Sequence, residues 1–306
     1  MNTEVNLCGI KMKNPVTVAS GTFGYGREFE DFIDLNKLGA IITKGTFLKP
    51  KLGNKPSRIC ETAAGMMNSI GLQNPGIEYF RDVDLPWLRQ FDTKVILNVG
   101  ASTLEEYVEV CKIANTLDID GLELNVSCPN VKAGCMAFGT SYEGIKEVTA
   151  AVRKVLDKPL IVKLSPNVTD IASIARGAEE AGADAISAIN TLLAMKIDID
   201  KRRPVLANNT GGLSGPAIKP VAVRMVYQAA KAVKIPVMGL GGIMNGEDAI
   251  EFMLAGASTV SIGCGNFVDP YCAPKTVEQI EEYIKKIKTG YIIITNKVYY
   301  FFYNFL

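Results

Sequence analysis

Eight short runs rich in Val and Ile recur along the chain, and their spacing leaves few folds open. They read VTVAS (16–20), AIITKGT (40–46), KVILNVG (94–100), GLELNVS (121–127), LIVKLSP (160–166), AISAIN (185–190), PVMGLGG (236–242) and TVSIGCG (259–265). Most are apolar almost throughout, as strands covered on both faces must be. Each leads into a stretch with helical periodicity, among them 103–117, 141–156, 169–182 and 220–233. Thr103 and Thr169 stand where N-caps belong, and Glu106 follows Thr103 at capping-box spacing. The helix-to-strand turn AGADAIS (181–187) returns as AGASTVS (255–261). Eight strand–helix units in 306 residues predict an α/β fold, a TIM (β/α)8 barrel forming a single domain over 1–288. A doubly wound sheet is the alternative. Its dinucleotide fingerprint G-x-G-x-x-G is missing, because GLGGIM (239–244) fails at the last position.

Three segments stand outside the repeat. EVNLCGIKMKN (4–14) alternates around Cys8-Gly9 and predicts a hairpin that closes the barrel bottom. The connections 47–93, after the second strand, and 191–219, after the sixth, are too long for simple helices and are rich in Gly, Pro and Asn. Long loops with turn chemistry on a rigid scaffold usually carry function.

Composition narrows the chemistry. The chain has no histidine, so Ser-His-Asp and Cys-His mechanisms and the common His-containing metal sites are excluded. Acid–base work falls to Cys, Lys, Asp, Glu, Tyr or a cofactor. Lys and Arg number 33 against 32 Asp and Glu, a balance that argues against nucleic acid as the main partner. The N-terminus has neither a signal-peptide nor a transit-peptide layout, and no apolar run has the length of a membrane helix. The seven cysteines form no CxxC and read as cytosolic thiols, so a soluble cytoplasmic protein is expected.

Barrel active sites form at the C-terminal ends of the strands. Those ends read Ser20, Lys44, Asn98, Asn125, Lys163 and Asn190 on six successive strands. Any one of them is explained as a satisfied polar residue. Six in register, with two lysines in otherwise apolar strands, are not explained by packing, because a buried ammonium needs a partner. Glu123 shares strand parity with Asn125 and reads as a partner for one lysine. With that single carboxylate and no histidine, no catalytic metal is expected. The last two strands end in Gly241-Gly242 and Gly263-Cys264-Gly265, where backbone N–H groups can approach a phosphate. A phosphate there and a planar polar ligand over Ser20, Lys44, Asn98 and Lys163 together point to flavin mononucleotide (FMN). NVSCPNVKAGCMAFG (125–139) places a thiol, Cys128, at a strand end between amides, the setting of a nucleophile or general base rather than a core cysteine.

On these residues the chain resembles the family-1 dihydroorotate dehydrogenases, most closely the catalytic subunit of the NAD-linked (B) class. The matching strings are NPVTVASGTFGYG (14–26), NSIGLQNPG (68–76), ELNVSCPNVKAG (123–134), VKLSPNVTDI (162–171), INTL (189–192), GGLSGPAIKP (211–220) and GLGGI (239–243), and the likeness runs from residue 5 to about 288. The resemblance implies oxidation of (S)-dihydroorotate to orotate in pyrimidine (UMP) synthesis, with Cys128 taking the C5 proton as general base while C6 delivers hydride to the flavin. It implies substrate contacts from Lys44, Asn68, Ser69, Ile70, Gly71, Leu72, Asn125, Asn190 and Thr191. Contacts to one FMN per subunit would come from Ser20, Lys44, Gly45, Asn98, Asn125, Lys163, Ile189, Gly215, Gly241, Gly242, Gly263 and Cys264. Loop 129–139 would act as a lid. The NAD-linked class works with a second subunit carrying FAD and an iron–sulfur cluster. The chain has no cysteine run of iron–sulfur spacing and no Rossmann fingerprint, so it would need that partner to reach NAD, and the resemblance implies a homodimer joined to it as a heterotetramer.

Other readings stay open on the sequence. They are a fumarate-linked dihydroorotate dehydrogenase, a dihydropyrimidine dehydrogenase-type reductase, a phosphate-binding barrel lyase with a Schiff base on Lys163, and a flavin-binding protein without turnover. VKAGCMAFGT after Cys128 resembles the NAD-linked pattern more than the fumarate-linked one. Quinone-linked members carry a serine base and an N-terminal membrane extension, whereas this chain has Cys128 and starts its barrel by about residue 16. Two departures stand out. Cys135 and Cys264 occupy positions where the family more often has Gly and Thr, and Cys135 is a candidate disulfide partner for Cys128 under oxidation. TGYIIITNKVYYFFYNFL (289–306) is apolar where relatives have a polar helix-forming ending. It reads as translation past a frameshift or as a genuine docking tail, and as a β-prone aggregation hazard in either case.

Overall fold

A strand apolar on both faces must be covered on both, and the eight runs meet that need by closing on one another. The computed structural model describes residues 3–126 and 138–288. Strands β1 (Val16–Val18), β2 (Ala40–Ile42), β3 (Lys94–Val99), β4 (Gly121–Asn125), β5 (Leu160–Lys163), β6 (Ala185–Ala188), β7 (Val237–Leu240) and β8 (Thr259–Ile262) form a closed parallel barrel in chain order. Every residue of β1, β2 and β5–β8 is buried. The β8–β1 ladder closes the ring, with Val260 opposite Val16. The β3–β4 ladder sets Asn98 opposite Glu123, and the β4–β5 ladder sets Asn125 opposite Lys163.

Around the ring run α1 (Leu104–Thr116), α2 (Tyr142–Arg153), α3 (Ile171–Glu180), α4 (Lys219–Ala232), α5 (Gly246–Leu254) and α6 (Cys272–Lys288). Thr103 caps α1, its Oγ1 accepting the Glu106 N–H at 3.2 Å. The Glu106 carboxylate reaches back to the Ser102 N–H at 2.8 Å, one residue beyond the usual capping box. For α3 the cap is Asp170, not Thr169. Asp170 Oδ1 accepts from both Ala172 and Ser173 N–H, and its charge faces the positive helix end, so it outcompetes a neutral hydroxyl. The β1–β2 connection departs from the repeat. It carries only 3-10 turns at Arg27–Phe29 and Leu35–Lys37, because Gly21, Gly24 and Gly26 all adopt positive φ and interrupt any helix.

The predicted hairpin is present. Val5–Leu7 pairs antiparallel with Ile10–Met12, and both turn residues, Cys8 (φ 46°) and Gly9 (φ 98°), have the positive φ of a type I′ turn. Leu7, Ile10 and Met12 pack against Ala40, Ile42, Ile96, Ile161, Ala185 and Met238, plugging the lower end of the barrel. At the other end the two long connections meet. Leu192–Met195, Thr210–Ser214, Gly65–Asn68 and Ile59–Thr62 form one antiparallel sheet in that order, so segments far apart in sequence build a single cap over the mouth.

Candidate active site at the barrel mouth

The ordered strands end two or three residues before most of the apolar runs do. Asn98, Asn125 and Lys163 therefore lie within β3, β4 and β5, while Ser20, Lys44 and Asn190 sit two residues beyond β1, β2 and β6. The six gather around one mouth. At its floor Glu123, wholly buried, accepts from Asn98 Nδ2 at 2.5 Å and from Ser187 Oγ at 2.7 Å, and lies 3.6 Å from Lys163 Nζ. Lys163 Nζ also donates to Ser20 Oγ at 3.2 Å. Lys163 is thus the lysine that Glu123 serves. Because Asn98 spends its amide hydrogens on Glu123, its Oδ1 faces the other way. That oxygen is buried without a hydrogen-bond partner among the described residues, and a Cβ at Gly45 would stand 2.9 Å from it.

Lys44 is the opposite case. Among the described residues its ammonium has no hydrogen-bond or ion-pair partner. Burial lowers its pKa, nearby Arg58 adds to the effect, and Glu28 works against it. It borders a cavity of about 590 Å³ that Tyr25, Lys51, Ile70 and Phe267 also line. An unpaired, partly desolvated cation beside a cavity is suited to bind an anion. Near it the backbone turns through Gly71 (φ 78°) and Leu72 (φ 59°). Two successive left-handed residues are costly unless held, and Asn74 holds them by donating from Nδ2 to Leu72 O at 2.8 Å. Neither Gly71 nor Leu72 N–H donates to another group among the described residues, leaving an anion-accepting concavity. Ser69 Oγ is also buried and unpartnered.

The remaining amides form a second chain of contacts. Asn190 Nδ2 donates to Asn125 Oδ1 at 3.4 Å, and the Thr191 N–H donates to Asn190 Oδ1 at 2.8 Å. Thr191 packs on Gly212, whose partner across the cap sheet is Asn68. Tyr107 OH fixes the Asn125 carbonyl at 2.7 Å, and Asn167 donates to Thr191 O at 3.1 Å. On the far side, glycines meet closely. A Cβ on Gly242 would fall 2.7 Å from Gly215 O, and one on Gly215 would fall 3.3 Å from Cys264 Sγ. Gly241 lies against Ile189, while around Gly263 the nearest atom to a built Cβ is Ala19 Cβ at 3.8 Å. Burial pushes the Cys264 thiol pKa up, against the effect of its hydrogen bond with Ser214.

Cys128, Cys135 and most of loop 129–139 lie outside the described residues, as does 289–306. Sequence reasoning missed Ser187, Tyr107 and Asn167 as supports of the mouth. Asn167 had a signal, since it closes the SPN step after β5.

A closed parallel barrel whose strand ends gather lysines, amides and a glycine cradle defines a (β/α)8-barrel enzyme with a small-molecule pocket at the C-terminal face. The family model described as dihydroorotate dehydrogenase matches residues 2–284, and the chain belongs to that family. It is 56% identical over 286 residues to the dihydroorotate dehydrogenase B (NAD(+)) catalytic subunit of Alkaliphilus metalliredigens, covering 94% of this chain and 95% of that one. The protein of the same name from Alkaliphilus oremlandii is 57% identical over 283 residues (92% and 94% covered), and that from Bacteroides fragilis 56% over 284 (92% and 94%).

Proposed function

We propose that the chain is the catalytic subunit of an NAD-linked dihydroorotate dehydrogenase. It oxidises (S)-dihydroorotate to orotate in pyrimidine biosynthesis, and electrons pass to NAD through a partner subunit bearing FAD and an iron–sulfur cluster. The observation that carries this reading is the polarity of the mouth. An unpaired ammonium, Lys44, suits the carboxylate of a small planar substrate, and an orphaned acceptor, Asn98 Oδ1, suits a donor on the flavin ring. FMN fits the remainder. Ser20, Lys44, Gly45, Asn98, Asn125, Lys163 and Ile189 would surround its ring, and Gly215, Gly241, Gly242, Gly263 and Cys264 its phosphate. The Asn98 orphan and the cradle at Gly215 and Gly242, which a Cβ would fill, favour such a ligand. When bound, FMN supplies a two-electron acceptor for the hydride leaving C6.

The protein's own residues do the rest. Lys44 and the free backbone N–H groups of Gly71 and Leu72 hold the substrate carboxylate, with Ser69 and Ile70 beside it. Asn68, Asn125, Asn190 and Thr191 pair with the ring amides and fix its orientation. Cys128 takes the C5 proton as C5=C6 forms. A free thiol near pKa ~8.5 does this only if the site favours the thiolate or transfer is concerted. The protein is cytoplasmic, a homodimer that joins its electron-transfer partner as a heterotetramer. No helix among the described residues is long and apolar enough to cross a membrane.

Anaerobic mixing with dihydroorotate and then NAD, with and without the co-purified partner, tests the reading. Bleaching by dihydroorotate but not by dihydrouracil, with reoxidation of the flavin by NAD only through the partner, is expected. Cys128→Ala is expected to retain flavin and bleach at least ~10²-fold more slowly. Undiminished bleaching removes Cys128 as base. Bound flavin without bleaching leaves a binding protein, and borohydride trapping of flavin-free protein with a carbonyl substrate points to a lyase.

A further inference from the structure

The carboxylate of Glu123 has no place in the proposed chemistry, yet three of the proposed flavin contacts hang on it. It sits at the floor of the mouth with no exposed surface, accepts from Asn98 Nδ2 (2.5 Å) and Ser187 Oγ (2.7 Å), and lies 3.6 Å from Lys163 Nζ, which in turn holds Ser20. An ionised carboxylate only accepts hydrogen bonds. A neighbouring carboxamide therefore has one stable orientation, with NH₂ toward the carboxylate and oxygen away. The buried, unpartnered Asn98 Oδ1 is the visible consequence.

The geometry points to Glu123 as a positioning residue that sets the hydrogen-bond polarity of the mouth, forcing Asn98 to present an acceptor to the ligand ring. This rests on the flavin reading above and deepens it. Without the charge the constraint lifts. After Glu123→Gln the floor side chain can either donate to Asn98 or accept from it, so both orientations of the Asn98 amide become available and one of them offers the ring a donor. The arrangement can also be built the other way round. When Asn98→Asp is combined with Glu123→Gln, the new carboxylate accepts the new amide hydrogen with one oxygen and still presents an acceptor with the other. The pair keeps its total charge and nearly its shape.

That swap is the test. Equilibrium ultrafiltration of the flavin-loaded full chain gives the FMN dissociation constant, alongside thermal melting. Glu123→Gln is expected to weaken FMN binding at least ~10-fold through loss of a charge-oriented hydrogen bond. Asn98→Asp is expected to weaken it at least as much, because two carboxylates then face each other. The double variant is expected to return to within about threefold of the parent. A carboxylate that merely fills the floor gives no such rescue, and the losses then add. Additive losses, or single variants both within threefold of the parent, overturn the assignment. If chains carrying Glu123→Gln do not fold, Asn98→Asp alone decides, since binding within threefold of the parent contradicts the forced orientation. A parent chain that binds no FMN refutes the flavin reading itself, a different outcome from a parent that binds it and is indifferent to Glu123.

Discussion

Lys44→Met separates what the barrel mouth is built to bind from what holds it together. Methionine preserves the length of the side chain and removes its charge. In the ligand-free protein the Lys44 ammonium is partly desolvated, has Arg58 nearby and has no carboxylate in ion-pair reach among the described residues. Its charge therefore opposes folding, and the variant is expected to be as stable as the parent or more so. A gain of about 1 kcal/mol corresponds to a melting point about 2 °C higher in a chain of this size. The pH dependence has a definite sign. The pKa of Lys44 in the folded chain lies below the ordinary 10.5, so folding releases a proton only at pH values between the lowered pKa and 10.5. The penalty is full at neutral pH, lessens as pH rises through the lowered pKa and vanishes by about the ordinary value. The advantage of Lys44→Met is thus greatest near pH 7 and fades in alkali. Function moves the other way. A hydrogen bond to a charged group contributes about 1.5–3 kcal/mol, so losing the contact to the substrate carboxylate lowers kcat/KM for dihydroorotate by roughly 10- to 150-fold. Differential scanning calorimetry from pH 7 to 10, flavin content and steady-state kinetics on the same preparation measure all three. A variant less stable than the parent at pH 7, or one with full flavin and kcat/KM within threefold of the parent, refutes the reasoning.

Three further outcomes follow from the packing. Gly242→Ala puts a Cβ 2.7 Å from Gly215 O at a φ of 81°, so melting and FMN retention both fall, by about 1–2 kcal/mol for the backbone alone. Leu7→Ala empties a fully buried position in the plug below the barrel, and urea unfolding is expected to show a loss of about 3 kcal/mol with little change in kcat of the folded enzyme. Burial pushes Cys8 and Cys111 up to about 12 and Cys272 up to about 11, so iodoacetamide at pH 7.5 leaves all three unmodified until denaturant is added, as peptide mapping will show.

The barrel was legible in the sequence because parallel strands buried on both faces leave unbroken apolar runs, and because the first hairpin alternates cleanly around Cys8-Gly9. Strand ends were less legible, since Ala19, Thr43 and Leu164, just past the assigned strands, stay buried and still donate backbone hydrogen bonds to the neighbouring strands, so the apolar runs extend past the strand bounds. The cap sheet could not be read. Its strands are short, two of the four bear glycine, and Gly212 pairs with Asn68 from a distant part of the chain, a partnership no local pattern encodes. At the site, the strand parity of Glu123 and Asn125 announced a partner for a lysine, but only the closed barrel decides for Lys163 over Lys44. Ser187 gave no signal, because one serine in a buried strand looks like a neutral filler until a carboxylate lies 2.7 Å away.

The central claim is that this mouth removes two hydrogens from dihydroorotate. Anaerobic addition of dihydroorotate to the purified, flavin-loaded chain measures it directly, with flavin absorbance and orotate followed together. The account predicts bleaching to completion with one orotate formed per flavin. Bound flavin that stays oxidised in excess dihydroorotate, with no orotate formed, would contradict it.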